Sequence, residues 1–118
     1  MVASSNLSQL ETEAVRAYVE ALKQRFGGQL ADAFLFGSKA RGESHADSDV
    51  DVMVILEHPT SDDLSEARGL AFDIWLAYQV FLSIRAMSHE QWQALAALQS
   101  LFYRNALHDA IPLLALVV

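Results

Sequence analysis

The chain of 118 residues contains no cysteine, which excludes disulfide bridges and thiolate metal sites. It also lacks any run of about 18 apolar residues, so we expect no transmembrane helix. The first residues, MVASSNLSQLETE, have neither the basic nor the apolar region of a signal peptide. Together these absences predict a cytoplasmic protein.

Basic residues are few, because 8 Lys and Arg stand against 15 Asp and Glu for a formal net charge of −7. A protein that follows nucleic acid needs clustered basic side chains to bind phosphates. The charge balance therefore argues against a nucleic-acid partner and against a polymerase. Hydrophobic residues make up 53% of the chain, which indicates a folded protein, and the length predicts a single domain over residues 1–118.

The most informative stretch is residues 34–56, FLFGSKARGESHADSDVDVMVIL, in which two apolar runs flank a polar segment. This pattern predicts a strand, a turn and a second strand. Because side chains alternate along a strand, Asp49 and Asp51 share one face of the second strand. The same face continues with Met53 and Ile55, whereas the opposite face is entirely apolar: Val50, Val52, Val54 and Leu56.

Two like charges about 7 Å apart in a valine-rich strand repel each other, so we expect a cation to offset this cost. Mg²⁺ suits such a pair, since it takes one or two protein carboxylates and completes its octahedron with water and phosphate oxygens. Gly37 permits a tight turn close to a ligand, and Ser38 can cap a short helix over residues 39–41 whose N-terminus attracts phosphate. Gly42 then closes that turn. The alternative, a plain loop followed by an Asx-type turn, stays open at this point.

The order Gly37-Ser38, ten residues, Asp49, one residue, Asp51 resembles the signature of the DNA polymerase β-like nucleotidyltransferase superfamily. With Ala40-Arg41-Gly42 and Ser48 added, the motif is most similar to that of the minimal nucleotidyltransferases. This resemblance implies a transfer of nucleotide from ATP with two Mg²⁺ ions.

The resemblance also implies a role for each matching position. Asp49 and Asp51 would be the catalytic residues that hold the metal, and Gly37 and Ser38 would bind the β and γ phosphates. Arg41 would supply charge to the nucleotide. For Arg41, a solvated turn residue or a salt bridge is an equally good interpretation.

Helical periodicity predicts three helices around these strands. The first follows a capping box at Ser8 and Glu11 and ends at Gly27-Gly28, the second spans Asp62 to Tyr78, and the third spans His89 to about Leu107. Residues 79–87 predict a third strand, and the apolar residues 110–118 predict a last strand, a packed arm or an interface.

The pattern by itself is typical of the α/β or α+β class. The resemblance implies the α+β polymerase β-like nucleotidyltransferase core, a small mixed sheet with helices packed on one face. In that fold the active site lies at the open edge of the sheet.

The family usually has a third carboxylate on the neighbouring strand, which helps to activate the acceptor hydroxyl. Here that strand carries Phe81, Ser83 and Arg85 on the relevant face. The chain is therefore a nucleotidyltransferase in which another residue serves, one that deprotonates the acceptor less efficiently, or a protein that binds Mg-nucleotide without turnover.

Minimal nucleotidyltransferases are commonly paired with small helical HEPN toxins, and some transfer AMP to a tyrosine of the toxin. The resemblance thus implies an antitoxin that transfers AMP from Mg-ATP to a hydroxyl of a HEPN-type toxin. Two alternatives remain. One is a catalytically inactive nucleotide-binding antitoxin that acts by complex formation. The other is a small-molecule, aminoglycoside-type nucleotidyltransferase whose cleft is closed in a homo-oligomer.

Overall fold

The computed structural model describes residues 7–41 and 49–116, which form a four-stranded mixed sheet with helices against it. The strands are β1 (Leu30–Phe36), β2 (Val50–Leu56), β3 (Leu82–Ser88) and β4 (Ile111–Pro112). Their order in the sheet is β3-β2-β1-β4. β1 runs antiparallel to both β2 and β4, whereas β3 runs parallel to β2. The α+β class that the sequence predicted is confirmed.

The helices are α1 (Gln9–Phe26), α2 (Ser38–Arg41), α3 (Ser61–Tyr78), α4 (His89–Leu98) and α5 (Leu101–Asp109). The predicted capping box of α1 is present, with Ser8 and Glu11 each accepting a hydrogen bond from the other's backbone N–H. α3 begins one residue earlier than predicted, after a second capping box formed by Thr60 and Asp63. None of the described helices has the length and apolar character needed to cross a membrane.

The two long helices, α1 and α3, pack on one face of the sheet. They bury the valine face of β2 together with Leu35 of β1. A buried hydrogen bond joins the helices directly, since the Tyr18 hydroxyl donates to the Ala67 carbonyl at 2.6 Å. For these helices the predicted packing on one face is confirmed.

The C-terminal helices α4 and α5 add packing on the second face, which the expectation of helices on one face did not include. Phe34, Met53 and Ile55 of the sheet form a smaller cluster there. Trp92, Phe102 and Ala106 cover it from α4 and α5. The physical reason lies in β2, because beyond Asp51 its second face is as apolar as its first.

The prediction of one continuous helix from His89 to about Leu107 is wrong. The helix ends at Leu98, because the next residue, Gln99, has a left-handed backbone (φ 52°, ψ 43°). Ser100 then caps α5 by accepting a hydrogen bond from the Tyr103 N–H at 3.0 Å. The break turns α5 back toward β1, where Phe102 packs edge-on against Phe36. Leu98, which lies within the predicted continuous helix, is 78% exposed at the break.

Two further boundaries differ from the sequence prediction. β3 begins at Leu82 rather than at Gln79, because Gln79 adopts a left-handed conformation (φ 58°) that ends α3. The apolar tail pairs with β1 through β4 and buries Leu113 completely, which confirms a last strand and packed arm as far as the described residues extend. Residues 117–118 lie outside them.

Candidate active site

Two of the predicted site residues, Gly37 and Asp51, meet at the edge of the sheet where β1 ends and β2 begins. Asp51 lies in β2 with Phe36 of β1 as its partner on one side and Ser83 of β3 on the other. Its side chain is half-buried, whereas Asp49, the residue directly before β2, is exposed. The sheet therefore presents Asp51 on a central strand and Asp49 at its rim.

The backbone of Gly37 is in direct contact with the Asp51 side chain. A Cβ built on Gly37 would overlap an Asp51 carboxylate oxygen and lie 3.2 Å from the Asp51 Cγ and 3.4 Å from its Cβ. Gly37 also has a φ of +79°, in the left-handed region that side chains disfavour. Only glycine fits this position without strain. The contact between Gly37 and Asp51 brings together the two halves of the sequence motif, the Gly-Ser pair and the acid pair.

Lys39 links the corner formed by Gly37 and Ser38 to the start of α1 through an ion pair. This lysine is only 3% exposed, and its Nζ lies 3.0 Å from Oε2 of Glu11. Glu11 also accepts the capping hydrogen bond from the Ser8 N–H. One carboxylate thus closes the N-terminus of α1 and anchors the residue that follows Ser38.

Sequence reasoning did not identify Lys39 as a structural part of the site. The sequence shows both residues of the ion pair, Glu11 as the acid of a capping box and Lys39 as the lysine after Gly37-Ser38. Their separation of 28 residues left no periodic signal that would pair them. The contact emerges only from the packing of α1 beside the corner.

The remaining predicted residues are placed only in part. Ser38 and Arg41 are the first and last residues of α2, so that the helix begins one residue earlier than predicted. Their side chains lie outside the described part of the chain, as do Gly42 and Ser48. The nucleotide-binding roles of Gly37, Ser38 and Arg41, like the metal-binding roles of Asp49 and Asp51, stay predictions.

On the β3 side, the site is bordered by a hydroxyl and a cation. Ser83 lies beside Asp51, and Arg85 follows it beside Met53. The Arg85 guanidinium carbon lies 5.0 Å from the centre of the Phe102 ring. β3 therefore presents no carboxylate at the positions next to the acid pair.

The carboxylates of the described residues fit a metal that is shared with a phosphate ligand. Among the described residues, no group of three or more His, Asp or Glu side chains is placed to hold an ion. Two carboxylates remain, which is the number that Mg²⁺ commonly takes when substrate phosphates complete its coordination. Asp49 and Asp51 would hold the ion, with Gly37 leaving the approach to Asp51 free of a side chain.

Comparison with known proteins assigns this arrangement to a family. The family model described as "Nucleotidyltransferase domain" matches residues 15–95. A protein from Methanocaldococcus jannaschii, named as an inferred protein adenylyltransferase, is 28% identical over 99 residues that cover 84% of this chain and 93% of that protein.

Solved structures give a consistent result. The solved structure of a protein assigned as a minimal nucleotidyltransferase has a TM-score of 0.59 to this chain. The two sequences are 31% identical, and the match covers 90% of this chain and 97% of that chain. A toxin-antitoxin structure with AMP-PNP is more distant, with 21% identity, a TM-score of 0.46 and coverage of 70% of this chain and 67% of that chain. The second likeness is too distant to indicate a partner.

Proposed function

We propose that this chain, which belongs to the nucleotidyltransferase domain family, transfers AMP from Mg-ATP to a hydroxyl group of a partner protein. The observation that supports this most directly is the contact of Gly37 with Asp51, which joins the two halves of the family's motif in one corner. The M. jannaschii relative, named for protein adenylyltransferase activity, supports AMP as the group and a protein as the acceptor.

We further propose that the acceptor is a HEPN-type toxin and that the chain is its antitoxin. Support for this step is the resemblance of the Gly37-Ser38 and Asp49, Asp51 motif to that of minimal nucleotidyltransferases.

In this proposal each site residue has one task. Asp49 and Asp51 hold the metal, Gly37 and Ser38 bind the terminal phosphates, and Arg41 adds positive charge. Bound Mg²⁺ would supply charge stabilisation for the attacking and leaving oxygens of an in-line displacement at the α-phosphorus. Lys39, buried against Glu11, keeps the corner fixed relative to α1.

A second candidate function is an antitoxin that binds nucleotide but neutralises its toxin by occlusion alone. The observation that favours it is the identity of the β3 residues beside the acid pair, Ser83 and Arg85. Neither side chain offers a carboxylate to take the proton of an acceptor hydroxyl.

Transfer of label from α-³²P-ATP distinguishes the two functions. The wild-type chain, mixed with a HEPN-type toxin and Mg²⁺, is expected to label the toxin. Asp49→Asn and Asp51→Asn should each lower the rate by about a hundredfold or more, since a metal ligand is lost. Asp73→Asn, which removes an exposed acid of α3, is the matched control and should label normally.

The other outcomes decide against the transferase. If no label moves but both the wild type and the doubly substituted Asp49→Asn, Asp51→Asn chain neutralise the toxin, occlusion is the function. If the wild type neither labels nor neutralises, both candidate functions are wrong.

A further inference from the structure

A groove runs along the outer edge of β3, and we name it the β3-edge groove. Its apolar end has a volume of about 500 Å³ and is lined by Phe72 and Trp75 of α3 and by Phe81. Its polar end, of about 420 Å³, is lined by Arg85 and other β3 residues. The two ends adjoin, because Arg68, Ser83 and Ile84 line both of them.

β3 is an edge strand, and the groove follows its free side. Among the described strands β2 alone pairs with it, so alternate N–H and C=O groups of Leu82–Ser88 face the groove. The seven residues contain no proline and no lysine that would block pairing with a further strand. The strand therefore has the backbone features needed to accept a partner strand.

Large aromatic side chains are exposed beside this edge. Phe72 is 61% exposed, Trp75 is 41% exposed and Phe81 is 58% exposed. The rings of Phe72 and Trp75 stack with their centroids 6.4 Å apart and an interplanar angle of 18°. A cluster of this kind on one side of a groove is typical of a protein-binding surface rather than of a solvated face.

The charge of the groove is opposite to that of the whole chain. Its lining includes Arg68 and Arg85 but no Asp or Glu among the described residues. Elsewhere in the described chain, Arg25 pairs with Glu66 and Lys39 pairs with Glu11. Arg68 donates to the Ser65 hydroxyl at 3.5 Å, and Arg85 stacks on Phe102, so neither cation is neutralised by a described carboxylate.

We propose that the β3-edge groove binds an extended, acidic segment of a partner protein, which adds a strand to the sheet beside β3. Main-chain hydrogen bonds to β3 would hold the segment. Its carboxylates would pair with Arg68 and Arg85, and its apolar side chains would contact Phe72, Trp75 and Phe81. This binding does not require nucleotidyl transfer and needs neither ATP nor the acid pair.

The groove also lies next to the candidate active site. Ser83, which lines it, is the β3 partner of Asp51. Strands in a sheet are about 4.8 Å apart, so the added strand would lie about 10 Å from β2. A partner held there would be positioned within side-chain reach of the sheet edge that carries Asp49 and Asp51.

A second copy of this chain is a poorer occupant for electrostatic reasons. Arg85 is the central residue of Leu82–Ser88, so centred antiparallel pairing of two β3 strands would place Arg85 opposite its own copy. Like charges directly opposite each other destabilise a strand pair. An acidic segment in the same place gains an attraction instead.

The binding test uses two fluorescein-labelled peptides in which pairs of valines alternate with pairs of glutamates in one and with pairs of lysines in the other. Adjacent residues of a strand point to opposite faces, so paired glutamates can reach both Arg68 of α3, on the first face of the sheet, and Arg85, which stacks on Phe102 on the second face. The glutamate peptide should bind the full chain with a dissociation constant of roughly 10–100 μM without ATP, and the lysine peptide at least about tenfold more weakly. Arg68→Glu and Arg85→Glu should each weaken the glutamate peptide about tenfold or more. Arg16→Glu, which reverses an exposed arginine of α1, is the matched control and should bind as the wild type does.

Backbone pairing is tested separately with glutamate peptides that are N-methylated at alternate residues. Methylation in one phase should abolish binding, whereas methylation in the other phase should leave it intact, because only one edge of a strand pairs with β3. Equal binding of both methylated peptides would rule out strand addition. Circular dichroism of each variant shows whether it is folded.

Two other results would overturn the proposal. One is the absence of glutamate-peptide binding at up to about 1 mM, the weakest range of specific recognition. The other is a wild-type dimer in sedimentation that Phe81→Lys dissociates, since the groove would then be filled by a second copy. If the chain labels a toxin but does not bind the peptides, the proposed transferase function stands and only the proposed docking surface is wrong.

Discussion

Gly37 is the residue on which the geometry of the candidate site depends most strongly. Its positive φ and its contact with Asp51 both exclude a side chain. This requirement follows from the fold and not from any ligand. It can therefore be tested on stability as well as on nucleotide binding.

Gly37→Ala is expected to destabilise the protein by about 1–3 kcal/mol, because the new methyl group meets Asp51 and the backbone remains left-handed. Urea unfolding measures this loss. Gly69→Ala is the matched control, since a Cβ on Gly69 meets nothing within 4 Å and alanine should stabilise α3 by about 0.5–1 kcal/mol. Equal effects of the two substitutions would contradict the tight contact at Gly37.

Tyr18 gives the fold a pH dependence at alkaline pH. Burial raises the pKa of its hydroxyl well above the ordinary value of 10.0, an effect only partly offset by the nearby charge of Arg68. Because the folded-state pKa is the higher one, this contribution to stability is complete below pH 10 and is lost as the pH rises toward the folded-state value.

Above pH 10 the wild type should therefore lose stability more steeply than Tyr18→Phe, by up to about 1.4 kcal/mol per pH unit. Urea unfolding of both proteins between pH 8 and pH 11 measures the difference. Parallel curves for the two proteins would show that Tyr18 ionises as easily in the folded chain as in the unfolded one.

At the scale of single residues, the sequence predicted short-range relations well. Alternation separated the two apolar faces of β2 correctly, and the requirement for glycine at position 37 followed from the turn. That Asp49 and Asp51 share one face stays a prediction. The Lys39–Glu11 ion pair was not predictable, because it joins residues on separate elements whose packing no local pattern specifies.

At the scale of elements, the break between α4 and α5 decides how the second face of the sheet is covered. Gln99 takes a left-handed conformation there, a role that glycine fulfils at lower cost. Gln99→Gly should thus stabilise the protein by roughly 0.5–1 kcal/mol, as measured by urea unfolding. The same substitution in a continuous helix would destabilise it by about 1 kcal/mol, so the sign of the change distinguishes the two structures.

The sequence predicted elements where a single physical signal dominated. A capping box placed the start of α1, and helical periodicity placed α3 to within one residue. The break at Gln99 and Ser100 was missed because neither residue is glycine or proline, and the apolar spacing continues across it. Tertiary packing of Phe102 against Phe36 favours the break over the helix.

At the scale of the whole molecule, the strand order required more than periodicity. The resemblance supplied the α+β class and the small mixed sheet, which the structure confirms, and the structure adds the strand order β3-β2-β1-β4. The sequence placed Met53 and Ile55 correctly on the second face of β2, but it did not predict that α4 and α5 cover them. The basic lining of the β3-edge groove is likewise a property of the assembled surface, since Arg68 and Arg85 belong to different elements that the fold brings to one groove.

The measurement closest to the central claim is calorimetric titration of ATP into the chain with and without Mg²⁺. The wild type should bind at least about tenfold more tightly with Mg²⁺, and the Asp49→Asn, Asp51→Asn variant should lose that gain while remaining folded. Binding of ATP that is equally tight in both proteins in the presence of Mg²⁺ would contradict a shared metal and triphosphate site at this corner.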